Sequence, residues 1–217
     1  MESERVLALD ISSKTGWSLI VSSLEGVKLE AYGQIPSISE PVGTYPLNYL
    51  QWAEICFKKI FDLFDQLKPT VLVIEETASG SKSNYSQKIL EWIHFLVAKM
   101  IKEYNIKTVY FLTEQWRREC GCIMTLSEKK KNKQVREYKK KVEKETGKKT
   151  TVAYDIDGSR IGLTNRKHVN VRRANEVFGP FLKTPLKKKD EDTADSLLLG
   201  YAYHLRRMSN HERLLAR

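Results

Sequence analysis

Two short runs constrain the fold more than anything else in this chain: "VLAL" at 6–9 and "TVLVI" at 70–74. Each is apolar without alternation and too short for a helix, which is the pattern of a strand buried on both faces. Strands of that kind need helices covering two sides of a sheet. Each run also ends in a carboxylate, Asp10 after the first and Glu75 after the second, with Glu76 next to it. Burying an unpaired charge costs several kcal/mol, so such a carboxylate requires a partner, a proton or a metal.

The remaining pattern fills in around these two strands. Gly16 breaks the first run and lets the chain turn back, 17–21 resumes as a second strand, and 27–35 alternates as a third. Together they read as an antiparallel meander. Residues 47–67 carry helical spacing that Pro69 ends, and 85–104 form a second amphipathic helix after the polar loop "SGSKSN". A fifth strand covers 107–112, and a helix beginning at Thr113 carries Trp116 and Arg117. Helices at 167–178 and 192–207 follow, the last with Ala194, Leu197, Leu198, Tyr201, Ala202 and Leu205 on one face. The order implies one α/β domain over 1–217, with a mixed five-stranded sheet flanked by helices and no internal repeat.

The formal net charge is +10, and its distribution matters more than its size. Residues 127–149 hold 11 Lys/Arg against 4 Glu, and 165–189 hold 8 Lys/Arg against one Glu. Concentrated positive charge is the footprint of a polyanion, nucleic acid before an anionic membrane surface. The first of these segments, 127–150, reads as a basic helix or arm inserted in the domain, capped by Ser127 and stopped by Gly147, and ordered on binding. No apolar run is long enough to span a membrane. The start "MESERVLALD" lacks the apolar region of a signal peptide, and three cysteines form no disulfide framework. A non-secreted, cytoplasmic protein of a bacterium or phage-infected host is the expectation.

Two more carboxylates complete a pattern. Asp192 and Asp195 stand at i and i+3 in the first turn of the last helix, so they share a face. If strands one and four are parallel, their C-terminal ends lie on one edge of the sheet, where α/β domains place their sites. Such a cluster repels itself unless a cation sits in it, and Mg²⁺ or Mn²⁺ takes carboxylate oxygens. Two ions about 4 Å apart can activate a water and stabilise the leaving oxygen of a phosphodiester. The acids and the basic runs thus point together to metal-dependent cleavage of nucleic acid. Asp155 and Asp157 make a rival acidic pair, but "YDIDGS" has the composition of a turn. His94 on an apolar helix reads as a packed histidine, and Cys120-Gly-Cys122 lacks the second pair a zinc site needs.

The combination of "LALDISSKTGW", "VIEE" after a strand, and "DEDTADSLLLG" opening the last helix resembles the RuvC-like Holliday-junction resolvases of the RNase H-like superfamily, phage and viral members above the bacterial type. The resemblance implies that Asp10, Glu75, Asp192 and Asp195 are the metal-binding catalytic acids, with two Mg²⁺ or Mn²⁺ ions per site. It implies a basic residue near the scissile phosphate, matched here by Lys167, and an aromatic offered to the junction, matched by Tyr85. Lys82, Arg117, Lys129, Lys130, Lys131, Arg172 and Arg173 are the basic side chains expected on the DNA. It further implies a homodimer that makes symmetric nicks across a four-way junction and leaves 5′-phosphates. The chain departs from the pattern in its 127–150 insertion and in Asp10-Ile-Ser12, where an Asp-Pro-Gly turn is usual. Competing readings are an actin- or sugar-kinase-type ATPase, a non-catalytic DNA-binding module, and a nuclease of the same fold acting on flaps, forks or RNA.

Overall fold

The computed structural model describes residues 2–12, 14–37, 43–76, 84–155 and 157–215, apart from the side chains of 84–86. The sheet is built from β1 (Glu4–Asp10), β2 (Gly16–Ser23), β3 (Gly26–Gln34), β4 (Val71–Glu75) and β5 (Lys107–Phe111) in the order β3-β2-β1-β4-β5. β1 pairs antiparallel with β2 and parallel with β4, and β4 pairs parallel with β5. The register sets Leu9 beside Ile74, so Asp10 and Glu75 leave the same edge of the sheet one residue later.

The apolar runs behave as two-faced strands should. Val6 and Ala8 face one layer with Val71 and Val73, while Leu7 and Leu9 face the other with Leu72 and Ile74. The second layer is α1 (Leu47–Leu67) and α2 (Asn84–Tyr104), which bring Ala53, Ile60, Ile93 and Val97 onto the leucines. The first layer is α3 (Thr113–Glu119), α5 (Arg166–Phe178) and α6 (Glu191–Leu215), contributing Trp116, Phe178, Leu197 and Leu198. Burying each such side chain stabilises the fold by about 1.5–3 kcal/mol. α6 runs on past 207 to Leu215, beyond the extent its apolar spacing suggested. Among the described residues no helix is long and apolar enough to cross a membrane.

The insertion differs from its sequence reading. α4 (Leu126–Thr146) is a continuous helix capped by Thr125 rather than Ser127, in a reciprocal box with Glu128, and ended by Gly147 at φ +66°. One face of it is docked on the domain. Val135 is buried against Ala153 and Ile161, which belong to a small hairpin, β6 (Ala153–Tyr154) and β7 (Arg160–Ile161). That hairpin lies in the segment composition marks only as turn-rich. Asp155 accepts from Gln134 and Asp157 from the Ser159 amide, so the rival acidic pair serves the hairpin turn.

Gly16 also has a different reason from the one its position suggested. It is an ordinary strand residue opposite Asp10, needing no unusual backbone angle. What it provides is space: a Cβ there would lie 2.0 Å from the backbone oxygen of Asp192. The first turn of α6 therefore rests directly on the end of β2, held as well by the Thr193 hydroxyl donating to the Gly33 carbonyl at 3.3 Å.

Candidate active site

Asp10 is half-buried at the end of β1, and its carboxyl is pushed well above the usual carboxylate range. Burial is the largest cause, followed by the negative charges of Asp195, Glu75 and Asp192, while Lys167 opposes them. The five residues drawn from separate parts of the sequence thus meet at one edge of the sheet. The β1–β4 register supplies Asp10 and Glu75, and the close approach at Gly16 brings in Asp192 and Asp195.

Each acid is held differently. Glu75 accepts from the Thr113 hydroxyl and from the Trp116 indole N–H at 2.8 Å. Both donors sit on one face of α3, three residues apart, and Trp116 is fully buried, so the carboxylate has a fixed orientation. Asp195 is buried, accepts from the Asn170 amide at 2.8 Å, and stands 3.8 Å from the Arg117 guanidinium. Burial raises its carboxyl to about 7, against the lowering effect of Asn170 and Arg117. Asp192 is raised by burial, with Lys167 and Lys14 pulling the other way. Burial would lower the Lys167 ammonium, but its hydrogen bond to Glu191 and the charges of Glu191, Asp192 and Asp195 carry it up. Lys167 and Asn170, at i and i+3, are delivered together by one face of α5.

The donor set is all carboxylate oxygen, which suits a hard divalent ion. Among the described residues no three acidic, histidine or cysteine side chains are placed to hold one metal ion together. Mg²⁺ is ordinarily held by one or two carboxylates with waters and substrate phosphates completing the shell, so an open acidic edge fits it. The self-repulsion that raises Asp10 is what such an ion would relieve.

The other basic residues sort into three groups. Arg117 belongs at the acids, and its Nε is buried without a hydrogen-bond partner. Arg172 is bound to Glu128, Glu176 and the Ile123 carbonyl, and Arg173 to Glu176 and the Cys120 carbonyl, so both join α5 to its neighbours. Both side chains keep about a third of their surface exposed. Lys129, Lys130 and Lys131 are exposed on α4. Lys82 and the Tyr85 side chain lie outside the described residues. Thr113, Trp116, Asn170 and Glu191 escaped the sequence reading. The one available signal was the Thr-x-x-Trp spacing after the fifth strand.

Cys120 is buried and donates to the Leu198 carbonyl at 3.1 Å, as a core thiol would, and His94 packs near the Tyr110 ring with its pKa lowered by burial.

No family model matches the sequence, and no curated protein matches it. Solved structures do. The RuvC of Thermus thermophilus in complex with a Holliday junction substrate is 10% identical, covers 95% of this chain and 96% of its own, and superposes with a TM-score of 0.59. A second structure of Thermus thermophilus RuvC gives 11% identity, 96% and 97% coverage, and a TM-score of 0.58. The Fowlpox virus resolvase with its Holliday junction DNA is 14% identical, with 92% and 96% coverage and a TM-score of 0.43. Over nearly its whole length, this chain has the RuvC fold, the mixed five-stranded sheet with helices on both faces that its apolar runs required.

Proposed function

We propose that this chain is a divalent-metal-dependent, structure-selective endodeoxyribonuclease that resolves four-way DNA junctions. The observation that carries the reading is the meeting of Asp10, Glu75, Asp192 and Asp195 on one sheet edge, where their charges raise Asp10. The fold adds to it, since its Thermus counterpart was solved on a Holliday junction substrate.

Asp10, Glu75, Asp192 and Asp195 would hold Mg²⁺ or Mn²⁺, two ions per site. Bound there, the metal would supply an activated water and charge stabilisation for in-line phosphodiester cleavage. The chain's own residues do the rest. Thr113 and Trp116 fix Glu75, and Asn170 fixes Asp195, so that the ligands need not reorganise when substrate arrives. Lys167 and Arg117 bring positive charge beside the acids, where the phosphate gains negative charge during cleavage. Asp10 and Asp195 keep protons that a cation must displace, so metal occupancy rises with pH. Lys129, Lys130 and Lys131 contact the phosphate backbone, Lys82 adds a further contact, and Tyr85 stacks at the junction. Two copies form a homodimer, matching the two-fold substrate and giving paired symmetric nicks with 5′-phosphates.

The test is a cleavage panel of four-way junction, fork, flap and RNA duplex with Mg²⁺ or Mn²⁺. The junction is expected to be cut at symmetric positions, and Asp10→Asn is expected to bind it without cutting. Intact junctions alongside cut flaps, forks or RNA would refute junction resolution and leave a nuclease of another substrate. Normal cutting by Asp10→Asn would refute the site.

A further inference from the structure

α4 carries a pattern that the acidic site does not use. Lys129, Lys133, Arg136, Lys140 and Lys144 recur at i, i+4, i+7, i+11 and i+15, and all five are exposed. That spacing sets them in one row about 22 Å long at 1.5 Å per residue. The opposite face is the docked one. Val135 is buried there, the Tyr138 ring stands 6.1 Å from Tyr154, and Asn132 is buried at the flank between the two faces. Asn132 exchanges two 2.8 Å hydrogen bonds with the backbone of Thr164, and Gln134 reaches Asp155 at 2.6 Å. The helix therefore cannot roll about its axis without breaking these contacts, and the row is fixed toward solvent.

The row's chemistry selects its partner. Five cations a helical turn apart match a polyphosphate backbone. No aromatic side chain lies in the row, so it has no platform for stacking the bases of a single strand. Between Lys129 and Lys144 no apolar residue lies there either, and the exposed Leu126 before it is a single side chain, short of the apolar face an interfacial helix needs to enter a membrane surface. We infer that α4 is a phosphate rail that grips one duplex arm of the DNA, reading backbone and not sequence.

The rail's location relative to cleavage rests on the proposed site. Thr164, which holds Asn132, is three residues before Lys167. From Asn132 to Lys144 the helix extends about 18 Å, or roughly five base pairs at 3.4 Å each. The rail is thus anchored to the segment that leads into α5 and its Lys167.

Deleting the segment would not test this, because it would also uncover Ala153 and Ile161 and unpair Thr164. The useful variant is Lys133→Gln/Arg136→Gln/Lys140→Gln/Lys144→Gln in the full chain, since Gln keeps helix propensity and the docked face is untouched. The control removes the same number of charges from exposed positions elsewhere, Lys28→Gln/Lys58→Gln/Lys99→Gln/Lys102→Gln. Binding to a linear duplex is measured against KCl concentration in chelator, so nothing is cut. The slope of log affinity against log salt is expected to fall by about 0.9 for each contact removed, close to 3–4 for the rail variant, and to stay unchanged for the control. A slope unchanged in the rail variant, or reduced equally in the control, overturns the rail. Single-turnover junction cutting at saturating rail variant is read separately. If the slope falls but the unaltered protein cuts no junction, the rail stands and the proposed function fails.

Discussion

β1 carries a carboxylate at each end, and the two ends have opposite electrostatics. Glu4 accepts from Lys107 at 2.8 Å, from the Tyr203 hydroxyl at 2.7 Å, and pairs with Arg207 at 2.9 Å. Burial works against its charge, but these donors hold its carboxyl below the usual range. Asp10, six positions along the strand at the other end, is surrounded by three acids and pushed well above it. One end of the strand is built for stability. The other holds charge that the fold by itself does not neutralise, and that imbalance is the physical mark of a site completed by something else.

Substituting each end should separate these roles. Asp10→Asn is expected to lower junction cutting on the order of 10³-fold, a loss of several kcal/mol of transition-state stabilisation. The same change should raise the Tm of the metal-free protein at pH 8 by a few degrees, since it removes a buried repelled charge. Glu4→Gln should do the reverse, leaving cutting intact and costing about 1–3 kcal/mol, read as a lower Tm. Matching signs of the two Tm changes would abolish the contrast.

Gly16→Ala sharpens it from the packing side. Its methyl would meet the Asp192 backbone, which must shift. Overpacking costs about 1–3 kcal/mol. Displacing two acids by as little as about 1 Å is expected to cut the cleavage rate on the order of 10²-fold, with duplex binding through α4 retained. Equal losses of binding and cutting would mean that the damage is global.

The smallest effect is in pH. The Asp195 carboxyl moves from an ordinary 3.8 to about 7 in the folded chain. Between those values the folded state holds a proton that the unfolded chain has released. The Asp195 contribution to metal-free stability should therefore fall as pH rises from about 4 to about 7, with the raised Asp10 carboxyl adding to the decline in the same direction. Thermal unfolding should show that decline, with Asp195→Asn flattening it. Added Mn²⁺ should raise Tm more at pH 8 than at pH 5. A metal-free Tm that climbs over the same range would contradict the raised carboxyls.

What could be read from the sequence followed from periodicity. Unalternated apolar runs placed Asp10 and Glu75 at strand ends, and i, i+3 spacing placed Asp192 and Asp195 on one helix face. Local patterns of this kind carry no information about partners distant in the chain. Trp116 donating to Glu75, Asn170 to Asp195, and the reason for Gly16 all depend on which helix crosses which strand. The partners of Arg172 and Arg173 are hidden for the same cause, since a basic residue in a basic run shows no sign of the glutamates that pair with it. Thr125 was passed over for Ser127 because both are competent caps, and only the Glu128 box distinguishes them. The strands β6 and β7 hold two residues each, too few for alternation to register.

The contact between Gly16 and Asp192 joins two points separated by most of the chain. Chains emerge during synthesis at about 5–20 residues per second, so Asp10 is exposed for on the order of ten seconds or more before α6 exists to complete the cluster. An unfinished or truncated chain can bind phosphate through α4 but holds only half of the acids. Under the proposed reading, the groups that cut DNA assemble after everything else has been made, so a stalled or partly degraded copy carries no cutting activity.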